Sequence, residues 1–197
     1  VIATEVARLR VKCKLPVDPT RRGPVLLSQF FEELNLNHVA LPNLSCGAVT
    51  AFLQTKGMPV GPVGEPASPL AGCLYWVADD GWAFVTADDI LPRRRFTAAH
   101  ELGHAVLHRD VMGDFIADAS ISETDDAEGQ REREANRFAA ELLMPEEVCR
   151  AREEEMRAEY KVEKCPRLVL ANRLASELLV SRQAAQFRLK TLGVGHE

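Results

Sequence analysis

At 197 residues with 46% hydrophobic content, the chain can bury one sizeable core with a small appendage. No window approaches the eighteen or more apolar residues of a membrane span, and no charged-then-apolar segment resembles a secretory signal; a soluble globular class is expected, in the cytoplasm, with an initiator methionine or a longer native N-terminus preceding the valine. The formal net charge of −5 gives no general reason to expect a polyanionic partner.

Residues 1–14 alternate aliphatic and charged types with a helical rhythm, Val6 and Leu9 on one side and Arg8 and Lys12 on another, until Pro16 and Pro19 end it. Pro24 to Leu34 reads as an amphipathic helix with Leu27, Phe30, Phe31 and Leu34 inward. Ser45 to Lys56 reads as another, capped by Ser45 and stopped by Gly57. Gly57 to Pro69 is rich in glycine and proline, hence a connector. Two strand candidates follow, Gly72–Val77 and Trp82–Thr86, joined by Ala78-Asp79-Asp80-Gly81 as a hairpin. Tyr75, Trp76 and Trp82 read as core packing against the next helix. A strand edge beside that helix, near Trp82 to Thr86, is also a place where an extended peptide adds as an extra strand.

That next helix carries His100-Glu101-Leu102-Gly103-His104, an HExxH pentapeptide. Residues four apart on a helix lie on one face, so His100 and His104 can point imidazole nitrogens at one metal ion. Glu101 then sits beside the ion and outside its immediate ligands, where a carboxylate can take a proton from water that the metal has acidified; this is the chemistry of peptide hydrolysis by zinc. The flanking Phe96 to Ala99 and Ala105 to Leu107 are apolar and helix-forming, as a buried metal-binding helix requires.

Two histidines do not hold a catalytic metal, so a third protein ligand is needed. Cys13, Cys46, Cys73, Cys149 and Cys165 are scattered with no CxxC spacing and suit reduced thiols. His108 lies on the face of His100 and His104, but three ligands strung along one straight helix cannot surround an ion. A metzincin would need histidine at position 110, where Asp110 stands. A carboxylate from a later helix is the remaining option.

Met112 to Gln130 comes first, with Asp114, Asp118, Glu123, Asp125, Asp126 and Glu128; it reads as a solvated acidic loop, or alternatively as a cover for the cleft or a contact for a basic substrate. In Arg131 to Pro145, at about 3.6 residues per turn, Ala135, Phe138, Ala139, Leu142 and Leu143 form an apolar stripe. Glu132 and Asn136 fall on its edge and Glu134 nearly opposite, so Glu132 faces the interior and Glu134 faces water. A buried carboxylate must be paired or bind a metal. The plainer alternative is that Glu132 is a helix N-terminal residue favoured by the macrodipole. Asn136, one turn on, is placed to orient an imidazole from behind.

The blocks Arg94 to His108 and Glu132 to Pro145, in that order, resemble the ImmA/IrrE family of bacterial metallopeptidases, with the similarity spanning roughly residues 24 to 150. The resemblance implies an α+β, zincin-like domain of the gluzincin type. Its small antiparallel sheet would pack on the HExxH helix, His100, His104 and Glu132 would bind zinc, and Glu101 would be the base. It also implies a substrate: family members cleave helix-turn-helix transcriptional repressors, inducing mobile-element genes or a DNA-damage regulon. The compact ImmA-like form, without the further sensor-like domain of IrrE-type proteins, is the nearer match. Imidazole plus carboxylate would also accept manganese or iron. His108 is expected near the site, as a hydrogen-bonded histidine at the helix end or, by proximity, as a group on the oxyanion.

Arg150 to Lys164 reads as a charged, solvated surface helix. Leu168 to Gly193 has a helix, short turn, helix pattern with Ser181 as N-cap of the second helix, a helix-turn-helix-like segment whose second helix could enter a DNA groove. Five cationic against two acidic residues leave 166–197 net +3, a weak footprint for DNA; packing on the 1–165 domain or reading the repressor is equally open. The competing function is a DNA-binding or protein-binding regulator with a structural or inert metal site. Glu101 argues against it, because a structural site needs a fourth ligand and no base.

Overall fold

Side chains alternate across a strand, and in the central hairpin that alternation separates two cores. The computed structural model describes residues 1–197 except 62–63, 78–79, 112, 119–126 and 197, and except the side chains of 116–118 and 127. In chain order its elements are α1 (Ile2–Lys12), α2 (Ser28–Glu33), β1 (Leu36–Leu41), α3 (Cys46–Thr55), β2 (Gly72–Val77), β3 (Asp80–Thr86), α4 (Leu91–Leu107), β4 (Phe115–Asp118), α5 (Ala127–Leu143), α6 (Glu146–Tyr160), α7 (Arg167–Leu178) and α8 (Arg182–Leu192).

The sheet has the order β1-β3-β2-β4. β2 pairs antiparallel with β3, from Gly72↔Val85 to Val77↔Asp80, and with β4, from Gly72↔Asp118 to Tyr75↔Phe115. β1 pairs parallel with β3, from Leu36↔Gly81 to Leu41↔Thr86. The sheet is therefore mixed, where an antiparallel one was expected. The reason is the crossover through α3, which carries the chain past one strand position so that β3 inserts beside β1. β1 went unread because only Leu36 of its six residues is fully buried, and β4 lies inside the acidic segment expected to be a loop.

One face of the hairpin, with Leu74, Trp76, Ala83 and Val85, packs on Ala98, Ala99 and Leu102 of α4 and Phe138 of α5. The other, with Cys73, Trp82 and Phe84, packs under Val49 and Leu53 of α3, and Phe52 meets Trp82 and Phe84 edge-on at 5.7 and 5.6 Å. Of the three aromatics expected on the HExxH helix, Trp76 is there, whereas Tyr75 and Trp82 belong to the α3 side. Each such large side chain removed from water contributes about 1.5–3 kcal/mol.

The caps are local. Ser45 Oγ accepts from Ala48 N at 3.2 Å, Gly57 leaves α3 at φ +75°, and Ser181 Oγ accepts from Ala184 N at 3.0 Å to start α8. α4 and α5 approach closely at Gly103, which lacks a Cβ; one built there would lie 3.1 Å from Ala135 Cα and 3.1 Å from Phe138 Cβ. Leu170, Leu174, Leu178 and Leu189 of the last two helices share the core of Leu142, Leu143 and Met144. The expectation of a merely solvated helix after Pro145 is corrected as well. Val148, Cys149, Arg152 and Met156 of α6 are buried, and Arg152, fully enclosed, donates to Glu177, Glu155 and the carbonyls of Pro19 and Arg21 at 2.6–3.0 Å.

Candidate metal centre

α4 opens with Pro92 in its first turn, where a missing N–H costs nothing, and is buried continuously from Ala98 to His104. His100 and His104 are 3% and 1% exposed. One turn apart, they bring Nε2 to Nε2 at 2.9 Å. α5, held close by Gly103, delivers Glu132 to the same point: Oε2 lies 3.2 Å from His100 Nε2 and Oε1 3.1 Å from His104 Nε2. One ligand atom from each of the three falls within 4.8 Å of the others.

These residues fit a metal. Ligand atoms at about 2.0–2.1 Å around a tetrahedral ion stand about 3.3 Å from one another, within a few tenths of an ångström of the three distances found. Burial pushes the Glu132 carboxyl up, but its contacts with His100 and His104 outweigh that and hold it well below the usual carboxylate range, as an anion. Two imidazoles and a carboxylate suit zinc and accept manganese or iron.

Glu101 is fully buried and lies against β2 at Gly72. A Cβ at Gly72 would collide with Glu101 Oε1 and lie 2.7 Å from Thr97 Cγ2. Gly72 and Gly103 are the two positions that sequence reading passed over. The available signal was a glycine inside a strand pattern and one inside a helical pattern, each a mark of close backbone approach.

Behind the ligands, Asn136 Oδ1 lies 3.1 Å from His100 Nδ1. The amide oxygen can accept a proton carried on His100 Nδ1, the arrangement that would leave Nε2 to a metal. His108, the C-cap of α4, places Nδ1 3.1 Å from His104 Nδ1 and Nε2 3.0 Å from Glu134 Oε2. Burial pushes the His108 imidazole below its ordinary range, and the bond from His108 holds the Glu134 carboxyl down. Glu134, expected to face water, keeps 35% of its side chain exposed and also accepts from His108 and, at 3.0 Å, from Gln130 Nε2, since a long side chain on the flank of α5 can fold back over the end of α4. Both ring nitrogens of His108 are thus engaged, Nδ1 with His104 and Nε2 with Glu134.

The expected substrate edge at Trp82 to Thr86 is also corrected, because β3 is paired on both sides. Among the described strands, β4 pairs on one side only. Gly72↔Asp118 sets the β4 backbone one strand spacing, about 4.8 Å, beyond the strand that covers Glu101. Of the acidic residues expected to cover the cleft, Glu123, Asp125 and Asp126 lie outside the described residues.

At the C-terminal helices, Arg173 pairs with Glu155 and Glu159, Arg188 with Glu141, and Arg167 donates to the carbonyls of Val194 and Gly195. Arg182 and Lys190 are the cations exposed on α8. No helix among the described residues is long and apolar enough to cross a membrane. A peptidase family model described as the IrrE N-terminal-like domain matches residues 84–190. No curated protein matches the chain.

Proposed function

The chain belongs to the IrrE N-terminal-like peptidase family, and from that premise we propose that it is a zinc-dependent endopeptidase whose substrate is a helix-turn-helix transcriptional repressor. The observation that carries the reaction type is the convergence of His100 Nε2, His104 Nε2 and the Glu132 carboxylate on one buried point, with Glu101 next in the same helix. The family resemblance carries the substrate class.

In this reading His100, His104 and Glu132 hold the ion, and Asn136 and His108 orient the two imidazoles. A zinc ion held there supplies a Lewis acid that polarises the scissile carbonyl and acidifies water at neutral pH. Glu101 takes the proton of the attacking water on its carboxylate and returns it to the departing amine. Enclosure of Glu101 against β2 at Gly72 restricts its rotamers, so the base is positioned before substrate arrives. An extended segment of the repressor pairs along the outer edge of β4, its backbone supplying affinity whatever its side chains. Short generic peptides are then poor substrates, lacking the remote contacts that position the scissile bond.

The test uses a purified candidate helix-turn-helix repressor, incubated with the zinc-loaded protein and with Glu101→Gln. The variant is expected to retain metal and fold while cleavage is lost, because an amide cannot accept the proton. Full cleavage by metal-loaded Glu101→Gln would overturn the mechanism. An intact repressor alongside a cleaved alternative protein would overturn the substrate.

A further inference from the structure

α8 has two differently occupied sides. Ala185, Arg188 and Leu189 are buried toward the rest of the chain. Gln183, Gln186, Phe187 and Lys190, spaced as one helical face, instead line an open groove of about 420 Å³ against the start of α7. Phe187 is 72% exposed, and Leu168, contributed to the same groove by α7, is 51% exposed. Neither belongs to the two hydrophobic cores, so burial on folding does not account for their meeting. A single exposed apolar side chain is ordinary, whereas a contiguous apolar concavity rimmed by polar residues marks a contact surface.

Charge decides between the occupants. The ionisable residues lining the groove are Arg167, Lys190 and His196, with no carboxylate among them; Glu153, which accepts from Gly195 N at 3.0 Å, lies outside the lining. A second copy meeting this one through the same groove would set cation against cation. The cationic DNA-binding face of a repressor would be repelled in the same way. Nucleic acid has the right sign but needs more contacts. Arg167, Arg173 and Arg188 are bound to protein groups, which leaves Arg182 and Lys190 exposed on α8, against about 6–10 phosphate contacts for a strongly salt-dependent DNA binder. We propose that the groove between α7 and α8 docks an acidic peptide segment of a partner protein, with a large apolar side chain seated between Leu168 and Phe187 and a carboxylate against Lys190.

This surface is separate from the metal centre and does not rest on the peptidase reading. α8 joins α5 through Arg188, which pairs with Glu141 and donates to the Met144 carbonyl. Glu141 stands roughly 13 Å along the helix axis from Glu132. The apolar anchor supplies affinity, as buried large side chains do at the centre of an interface, and Lys190 supplies the preference for acidic over basic partners.

The probe is a random peptide library displayed on phage, panned against the full chain with Phe187→Asp protein as counter-selection; selected peptides are then synthesised and titrated by fluorescence anisotropy. Enriched sequences are expected to carry Leu, Phe or Trp flanked by Asp or Glu. Phe187→Asp and Lys190→Glu should each weaken binding by roughly tenfold or more without moving Tm, since both side chains are exposed, and Phe187→Leu should retain it. Binding should weaken as salt rises, because exposed charges are screened over about 8 Å at physiological ionic strength. Glu132→Ala should bind as wild type. Enrichment of Lys- and Arg-rich peptides would overturn the proposal, as would a selection in which no peptide distinguishes wild type from Phe187→Asp, or binding that depends on Glu132. Phe187-dependent binding of an oligonucleotide would reassign the groove to nucleic acid, and Phe187-dependent self-association in sedimentation would reassign it to a second copy; either result overturns the acidic-peptide reading.

Discussion

Gly103→Ala sets two opposing effects against each other at the contact that builds the site. Alanine favours a helix interior over glycine by about 1 kcal/mol, so on an exposed helix the change would stabilise. Here the new Cβ would lie 3.1 Å from Ala135 Cα, 3.1 Å from Phe138 Cβ and 3.2 Å from the Ala135 carbonyl oxygen. Carbon pairs prefer about 3.5–4.0 Å, and two of the three obstructing atoms are backbone, which cannot rotate aside. α5 must therefore back away from α4 by a few tenths of an ångström, at an overpacking cost of about 1–3 kcal/mol. The net expectation is a loss of about 0–2 kcal/mol. The same displacement carries Glu132 away from His100 and His104, and metal–ligand distances tolerate only about 0.2 Å. Zinc affinity should fall about tenfold, or ~1.4 kcal/mol, measured by chelator competition beside thermal melts. A variant about 1 kcal/mol more stable than wild type, with undiminished zinc affinity, would refute the close-approach argument.

At Gly72→Ala, the added methyl forces Glu101 off its position while leaving His100, His104 and Glu132 in place. Cleavage should drop by roughly 10²-fold with normal zinc content, and full activity would show that Glu101 does not act from where it lies. Glu177→Ala removes one of two carboxylates from the fully buried Arg152 guanidinium, which keeps Glu155 and the carbonyls of Pro19 and Arg21, and should cost about 1.5–3 kcal/mol, a fall of several degrees in Tm; an unchanged melt would refute the buried-pair reading. Burial raises the Glu177 carboxyl, but the bonds from Arg152 outweigh it and hold it low. This contribution is accordingly present above about pH 4.3 and lost as pH falls through the lower folded value. Burial pushes the Cys149 thiol up to about 12, so the unfolded chain loses that proton first, and stability should decline above about pH 8.5. Rapid alkylation of Cys149 in the folded protein at pH 8 would contradict its burial.

What was legible in the sequence is what depends on short spacing. His100 and His104 share a face because four residues make about one helical turn, and Glu132 with Asn136 follows the apolar stripe of α5 by the same rule. Ser45, Gly57 and Ser181 mark helix ends because a cap is satisfied within three residues. The strand boundaries of the hairpin were nearly right for the same reason. Where contacts join distant segments, no local rule reaches. Trp82 to Thr86 carries the signal of a strand but not of its place in the sheet, which depends on β1, forty-five residues upstream at the Leu36↔Gly81 pair. Glu134 sits on the polar side of α5 by its angle, and only the placement of α5 against the last turn of α4 turns it toward His108. The charged rhythm of α6 hides the enclosure of Arg152, whose partners come from the N-terminal segment and from α7. Periodicity states which side of an element is apolar; which neighbour meets each side is decided by packing, because burial of those sides against one another is what outweighs the entropy of ordering the chain.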